Sequence, residues 1–530
     1  MKKIFTLAMM MMAAVSMSAQ WQPSDTEATK LDKPTVSGQT QMKTIRTDDG
    51  KIILTWLRWS EGLRYNDPGS GYYLHMQIFD ANGNPQFGEE GILVSNKQTA
   101  TSTTDYGLAL AQNGDIVIAY TDARHEGLEE REYWEVYLYR YDQQGNPVWD
   151  ADGIKFNGPQ TTDNVSDMAP NVCVSDEYIY VSMVQTVYPS GSTQSVSTYL
   201  LQCFDEDGEP YWADCLEFET NMFTMQPCQD GDIYVLYGNE ERGMDAQRIS
   251  CVRENVWGNP INVDEGPLTG SFYFPKPECA LDGEGGLMLT FRKLETMTGY
   301  QVVNHLSPDG EVLPQGSVMC RGSVEGDANG GRMAVRDDEV LVAWEQDLGE
   351  ISMMVNNLST DGDYMWGDAM YGRTLESGSS WGYTPVKVIP QEDGWVILYG
   401  NSTSWNGANF MVTKLDDNGE TLWTRQIRED NFKSNGFSVV YDDQYAYIFY
   451  VQDEQYDDNW NVIPGSGGMY VMCVDINPGS TAISEVEAGQ VVEQQIFNIK
   501  GQRLQHLEQG VNIVRNVDEN GNVKTTKVMK

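Results

Sequence analysis

The chain has 530 residues and sets 35 Lys and Arg against 78 Asp and Glu, a formal charge of −43. That balance excludes a nucleic-acid binder, which needs a cationic footprint, and an adhesive for anionic membranes. With 40% apolar and 11% aromatic residues, the chain is also too rich in core-forming side chains to be a disordered acidic tail.

Lys2 and Lys3 precede an apolar run from Ile4 to Val15, followed by Ser16, Ser18 and Ala19. A basic start, a short apolar core and small residues at the cut describe a secretory signal peptide over residues 1–19. The run is too short to span a bilayer, and none follows that could. No membrane span is expected.

Two interleaved series follow. In the first, a turn precedes a β-branched and aromatic run: Asp49-Gly50 before KIILTW, Asn113-Gly114 before DIVIAY, Asp176-Glu177 before YIYVSM and Asp230-Gly231 before DIYVLY. It continues with Gly285-Gly286 before LMLTF, Asp338-Glu339 before VLVAW, Asp393-Gly394 before WVILY and Asp443-Gln444 before YAYIFY. In the second, a strand ends in D-x-x-G-x-x-x-aromatic: Asp80 to Phe87, Asp142 to Trp149, Asp205 to Trp212 and Asp416 to Trp423. Weaker copies stand at Asp309-Gly310, at Asp361-Gly362 before Trp366, before Trp257, and at Asp475 to Gly479. Each series supplies one hairpin, so every repeat is a four-stranded unit, A to D. Units of this size arranged radially are propeller blades.

The expected fold is therefore all-β: an eight-bladed β-propeller over residues 20–479, with seven blades as the alternative. A small β-domain, sandwich-like, is expected over 480–530. The last repeat lacks a D strand, and Lys33–Gly38 (KPTVSG) is similar to Gly91–Asn96 (GILVSN), so an N-terminal strand is expected to close the ring. The tryptophans of the second series are expected to wedge between blades. Tyr120–Trp149 resembles propeller repeats common in secreted bacterial proteins, a likeness that implies fold alone.

Eight cysteines are present: Cys173, Cys203, Cys215, Cys228, Cys251, Cys279, Cys320 and Cys473. Cys173, Cys228 and Cys279 fall on A strands, and Cys203, Cys251 and Cys473 on C strands. Positions separated by a B strand are too distant to bridge. Buried free thiols are expected, with Cys215–Cys228 the best disulfide candidate.

From Ala482 the texture changes; residues 481–530 carry six basic and six acidic side chains. The stretches Ile496–Leu504 (IFNIKGQRL), Gly510–Arg515 (GVNIVR) and Lys524–Lys530 (KTTKVMK) resemble, in order, the type A C-terminal sorting domain of the type IX secretion system of Bacteroidota. Gly501, Gly510, Lys527, Val528 and Lys530 match its motifs. The resemblance implies the type IX secretion machinery as a partner, passage through the outer membrane, and a secreted or cell-surface destination.

Approximate B–C loops are long in repeats one, two, three and eight and short in five and six, which predicts one contiguous half-rim where binding would reside. The candidates there are Trp59, Arg64 and Tyr65, then Arg124, His125, Tyr133 and Trp134, then Tyr456, Asp457, Asp458 and Trp460. Aromatics beside carboxylates suit an extracellular glycan or protein. No catalytic set can be named: of His75, His125, His305 and His506, only His125 lies in a long loop. Sialidase-like Asp-boxes place Trp three residues after Gly, whereas here it stands four after. Asp205–Glu209 (DEDGE) and Asp416–Glu420 (DDNGE) read as turns rather than calcium loops, so no cofactor is expected, calcium being the alternative. The function expected is a binding module delivered to the cell surface. The alternatives are a polysaccharide-degrading hydrolase or lyase and a structural surface protein.

Overall fold

The computed structural model describes all residues except 1–20, 32–38, 61–70, 89, 100–105, 123–133, 161–164, 190–194, 221, 240–242, 265–276, 296–297, 322–325, 368–370, 405–406, 431, 453–466, 479–490, 499–502, 505, 507–510, 519–522 and 530. No helix is found among the described residues.

Eight four-stranded antiparallel sheets follow one another as the eight blades of a β-propeller. Blade 1 runs Gln39–Arg46, Ile52–Trp59, Tyr72–Phe79 and Ile92–Leu93, strands A to D. Blades 2 to 7 repeat this order, their A strands beginning at Gly107, Val165, Phe223, Glu278, Asp327 and Tyr383. Blade 8 has Phe432–Tyr441, Tyr445–Gln452 and Gly468–Asp475 as A to C. Its fourth strand is Thr29–Lys30, which pairs with Val471 and Tyr470. The N-terminal strand thus closes the ring, but from a position ahead of Lys33–Gly38, of which residues 33–38 lie outside the described residues.

The B strands start each blade's core in the same register. Ile52, Ile116, Ile179, Ile233, Leu287 and Trp395 pair with the last C-strand residue before the C–D turn, and Val340 and Ala446 with the last but one. These residues are buried on both faces, since each sheet packs between two others. The hydrophobic clusters accordingly sit between successive blades, such as Tyr234 with Leu289 across blades 4 and 5.

The C–D turns explain the second sequence series. Asp80 accepts the amides of Asn82 at 2.9 Å and Asn84 at 2.8 Å, an Asx turn with Gly83 at φ +80°. Burial alone would raise the Asp80 carboxyl, but hydrogen bonds from Asn84 and Asn82 outweigh it and hold it below the usual range. In the weaker copies a serine does this work: the hydroxyls of Ser250, Ser307 and Ser359 accept the amides of Glu254, Glu311 and Asp363. Asp205 and Asp416 likewise cap their own turns.

The aromatic that follows reaches the next blade. The indole N–H groups of Trp149, Trp212, Trp257 and Trp366 donate to the carbonyls of Glu206, Cys251, Pro308 and Asp417, each the second residue of the neighbouring turn. Trp423 is only partly buried and lies under the Arg425 guanidinium, 4.1 Å from its ring. A Cβ on Gly419, at φ +74°, would stand 2.6 Å from the Trp366 ring. Gly419→Ala is therefore expected to cost about 2–4 kcal/mol, combining left-handed backbone strain with overpacking. Urea unfolding measures it, and a midpoint equal to wild type would remove the wedge argument.

All eight cysteines are free. Cys173 and Cys279 lie on A strands and Cys203 and Cys473 on C strands, whereas Cys228 and Cys251 sit just past strand ends. The Cys215–Cys228 pairing is not formed: the Cys215 thiol faces the Asn157 carbonyl at 3.9 Å. Burial pushes the Cys173 and Cys228 thiols up to about 12, far from the thiolate needed for exchange.

The boundary between the two compact units falls at Ile476/Asn477. The C-terminal unit is one antiparallel sheet in the order Arg503–Leu504, Val491–Asn498, Val511–Asp518, Val523–Met529. Lys527 and Val528 lie on its last strand; Gly501, Gly510 and Lys530 are outside the described residues.

Candidate functional site

In a propeller the B–C and D–A connections share one face. Residues 60–71, 123–134, 188–195 and 453–467 separate B from C in blades 1, 2, 3 and 8. In blades 4 to 7 only 240–242, 296–297, 348–350 and 405–406 do so. The uneven rim expected from the repeats is present.

Of the candidates on the long side, Arg64, Tyr65, Arg124, His125, Tyr133, Tyr456, Asp457, Asp458 and Trp460 lie outside the described residues. Trp59 ends its B strand with its ring 4.9 Å from Tyr72 in an edge arrangement. Trp134 precedes the C strand of blade 2, and its carbonyl accepts the Asp167 amide at 2.9 Å. The Asp167 carboxylate accepts from Gln185 at 2.9 Å. Its pKa is pushed up to about 6 by burial, with Gln185 and Lys155 opposing the shift and Glu135 adding to it. Glu135 itself pairs with Lys155 at 2.5 Å. Two histidines are internal: His75 stacks on Trp56 at 5.5 Å, and His305 bridges Asp282 at 2.8 Å and the Thr360 carbonyl at 3.1 Å.

A second cluster stands on the short side, where sequence reasoning placed nothing. Residues 378–382 connect the D strand of blade 6 (Arg373–Ser377) to the A strand of blade 7 (Tyr383–Gln391). The Ser379 hydroxyl closes this turn, accepting the Trp381 and Gly382 amides and lying 2.9 Å from the Gly382 carbonyl, to which it donates. Two glycines let carboxylates come close: a Cβ on Gly382 would meet Glu345 at 2.4 Å and one on Gly378 would meet Glu350 at 3.1 Å. Glu345 accepts the Tyr383 amide at 2.5 Å, and its carboxyl is raised by burial, against hydrogen bonds from Tyr383 and Asn329. Glu376 accepts from the Tyr399 hydroxyl at 3.0 Å and the Asn401 amide at 2.5 Å. Trp381 is 55% exposed, whereas Tyr383 is only 4% exposed. The sequence signal was available: a tryptophan in the Ser- and Gly-rich run 377–382, where no wedge is due.

Among the described residues no group of three or more His, Cys, Asp or Glu is placed to hold a metal ion. Among the described residues there is no helix long and apolar enough to cross a membrane.

No family model matches the chain, and no curated protein matches it. Solved structures similar to it include the Hadza microbial sialidase Hz136, at 11% identity and a TM-score of 0.34, covering 87% of this chain and 99% of that one. Polysaccharide lyase Uly1 is similar at 9% identity and a TM-score of 0.40, covering 82% and 90%. A protein of unknown function from Dyadobacter fermentans DSM 18053 is similar at 12% and 0.34, covering 84% and 99%. Likeness at this level assigns no activity.

Proposed function

We propose that the protein is exported by the type IX route its tail resembles and acts at the cell surface, or outside the cell, as a binding propeller for a glycan or protein. The observation that carries this reading is the exposed Trp381 in the connection 378–382 on the rim face, whose glycines Gly378 and Gly382 lie close to Glu350 and Glu345. Exposed aromatics on a rigid scaffold supply contact area at low entropic cost. Glycan and peptide arrays probed with the secreted full-length chain test it; specific capture is expected, and a blank array would end the reading.

The route is tested separately. Removing residues 477–530 is expected to hold the propeller in the periplasm, followed by cell fractionation; normal surface display of the truncated chain would defeat it.

One observation favours the second reading, polysaccharide cleavage. Asp167, held near 6 by burial beside Glu135, has the protonation behaviour of a general acid. Under that reading Asp167→Asn abolishes reducing-sugar release from a cleaved polysaccharide; release by the variant at the wild-type rate would exclude Asp167.

A further inference from the structure

Charge reverses on the innermost strands. The A strands of neighbouring blades touch, Gln39–Arg46 with both Phe432–Tyr441 and Gly107–Leu110, so the A strands wall the central channel. Three residues beyond the B-strand residues Ile52 to Ala446 that start each blade's core, their A-strand partners form one level of that wall. Four partners are charged: Lys43, Glu278, Arg332 and Lys387. Three are polar: Asn171, Thr224 and Ser438. The eighth is Gly107, where a Cβ would stand 2.6 Å from the Val172 nitrogen. One residue closer to the A–B turns, six blades place apolar side chains: Leu108, Val172, Met225, Met333, Val388 and Val439. A single polar level therefore adjoins an apolar one. It sets three cations against one carboxylate, in a chain where Asp and Glu outnumber Lys and Arg 78 to 35.

The backbone is bent to build this level. The A–B register shifts just ahead of Lys43, Asn171, Arg332 and Lys387, and bulges of this kind re-aim the side chain beside them. Gln41 and Ala169, two residues before Lys43 and Asn171, stand at φ +53° and +51°, and Gly330, two before Arg332, at +67°. Left-handed backbone at a non-glycine residue is strained, and such strain collects at ligand sites. The seven side chains of the level are half-buried and reach toward neighbouring blades. The Ser438 and Thr44 hydroxyls are 2.7 Å apart, and Lys43 donates to the Tyr106 carbonyl. Glu278 accepts the Met333 amide at 3.4 Å and pairs with Arg332 at 3.3 Å. Burial raises the Glu278 carboxyl, against the charges of Arg332 and Lys387; Lys387 has no ion-pair partner among the described residues. A cavity of about 490 Å³ opens here between blades 4, 5 and 6. Thr224, Gln226, Glu278 and Arg332 line it with polar atoms, and Met225 and Pro277 with apolar ones.

We propose that this cavity in the channel wall binds a small carboxylate that carries hydroxyl groups, with Arg332 holding the carboxylate and Thr224, Gln226 and Glu278 the hydroxyls. The excess of cations calls for an anion, and low-dielectric channel walls focus their field. The planar fork of Arg332 matches a carboxylate edge, and Lys387, one blade on, adds to the field. Glu278 only accepts, so beside its carboxylate the ligand needs donors; hydroxyls supply them, and Thr224 and Gln226 both donate and accept. The cavity has the volume of a small-molecule site rather than of a bare ion, and Met225 and Pro277 meet the ligand's C–H groups. Sugar acids and open-chain hydroxy acids share this chemistry. The site is separate from the connection 378–382, so either fails without the other.

The test is isothermal titration calorimetry of the full-length chain with D-galacturonate, L-malate, D-galactose and sulfate. Saturable binding of galacturonate or malate is expected, and the tighter of the two tells a sugar acid from an open-chain hydroxy acid. Galactose, which lacks the carboxylate, should bind roughly tenfold more weakly than galacturonate. Arg332→Gln should lose roughly tenfold in affinity for the tighter carboxylate, and Lys387→Gln and Thr224→Val roughly threefold each. The last two break no described ion pair, so they decide the matter if Arg332→Gln does not fold. Arg253→Gln removes an exposed cation from a C–D turn on the opposite face and should leave affinity unchanged. Absence of binding by both carboxylates, or wild-type affinity in both Lys387→Gln and Thr224→Val, would overturn the site. So would a loss in Arg253→Gln equal to that in Lys387→Gln. Galactose binding as tightly as galacturonate, or sulfate more tightly than both carboxylates, would overturn the ligand class.

Discussion

Trp21→Ala is expected to destabilise the propeller by about 3–5 kcal/mol, the usual cost of emptying a buried tryptophan site. Trp21 is 5% exposed and packs on Phe79 at 4.9 Å, Phe449 at 5.7 Å and Tyr447 at 5.9 Å. A Cβ on Gly83 would stand 2.7 Å from its ring. Trp21 therefore does for blades 8 and 1 what Trp149, Trp212 and Trp366 do elsewhere, although it comes from the opposite end of the chain. Deleting residues 21–31 should cost more. It removes the Thr29–Lys30 strand, the Asp25–Arg425 pair at 2.9 Å and the hydrogen bonds of Ser24 and Leu31 to Cys473 and Met469. The strand Gly468–Asp475 would become an open edge prone to pairing with other chains. Calorimetry should show melting lowered by roughly 3–5 °C for Trp21→Ala if the ring unfolds as one unit. Hydrogen exchange should show early opening of residues 445–452 and 468–475 in the deletion. A deletion that melts and exchanges like wild type would mean that the ring is held elsewhere.

The closure also shows where sequence reasoning stops. The absent D strand of the eighth repeat was legible from the count, because each blade must supply four strands and the last supplied three. The identity of the closing strand was not. Thr29–Lys30 is two residues long, too short for side-chain alternation to mark it, and its register is set by Trp21, eight residues earlier. The repeat register itself was legible throughout, since an Asx or serine turn followed by a wedge aromatic is a local device. The cluster at 376–383 was hidden for a different reason. Its carboxylates come from a B strand, a hairpin and a D strand, and only blade packing brings them to Tyr383. Loop length directed attention to the other half of the rim, whereas here a five-residue connection between blades carries the exposed aromatic.

The largest pH effects are expected from two groups whose contributions oppose each other. His75 is buried against Trp56, and its pKa is lowered to about 4, first by burial and then by the charge of Arg58. The unfolded imidazole titrates near 6.5. As pH falls from 6.5 to 4 the unfolded chain takes up a proton that the native site refuses, so stability present above 6.5 is lost, by about 3 kcal/mol. Asp167 runs the other way. Its folded pKa of about 6 stands above the ordinary carboxyl value, so the native state keeps a proton that the unfolded chain releases. That contribution is full below about 4 and is lost as pH rises through 6, again by about 3 kcal/mol. Over the same window the two terms nearly cancel. Asp167→Asn retains an acceptor for Gln185 and is expected to be more stable than wild type at pH 7 by about 2–3 kcal/mol, with no gain at pH 4. His75→Phe keeps a ring on Trp56 and is expected to match wild type within about 1 kcal/mol at pH 7 and exceed it by about 3 kcal/mol at pH 4. Urea unfolding of the three proteins at half-unit intervals from pH 4 to 7.5 reads both differences directly. Wild-type and variant curves running parallel across that range would show that neither group titrates in the folded ring as its burial requires.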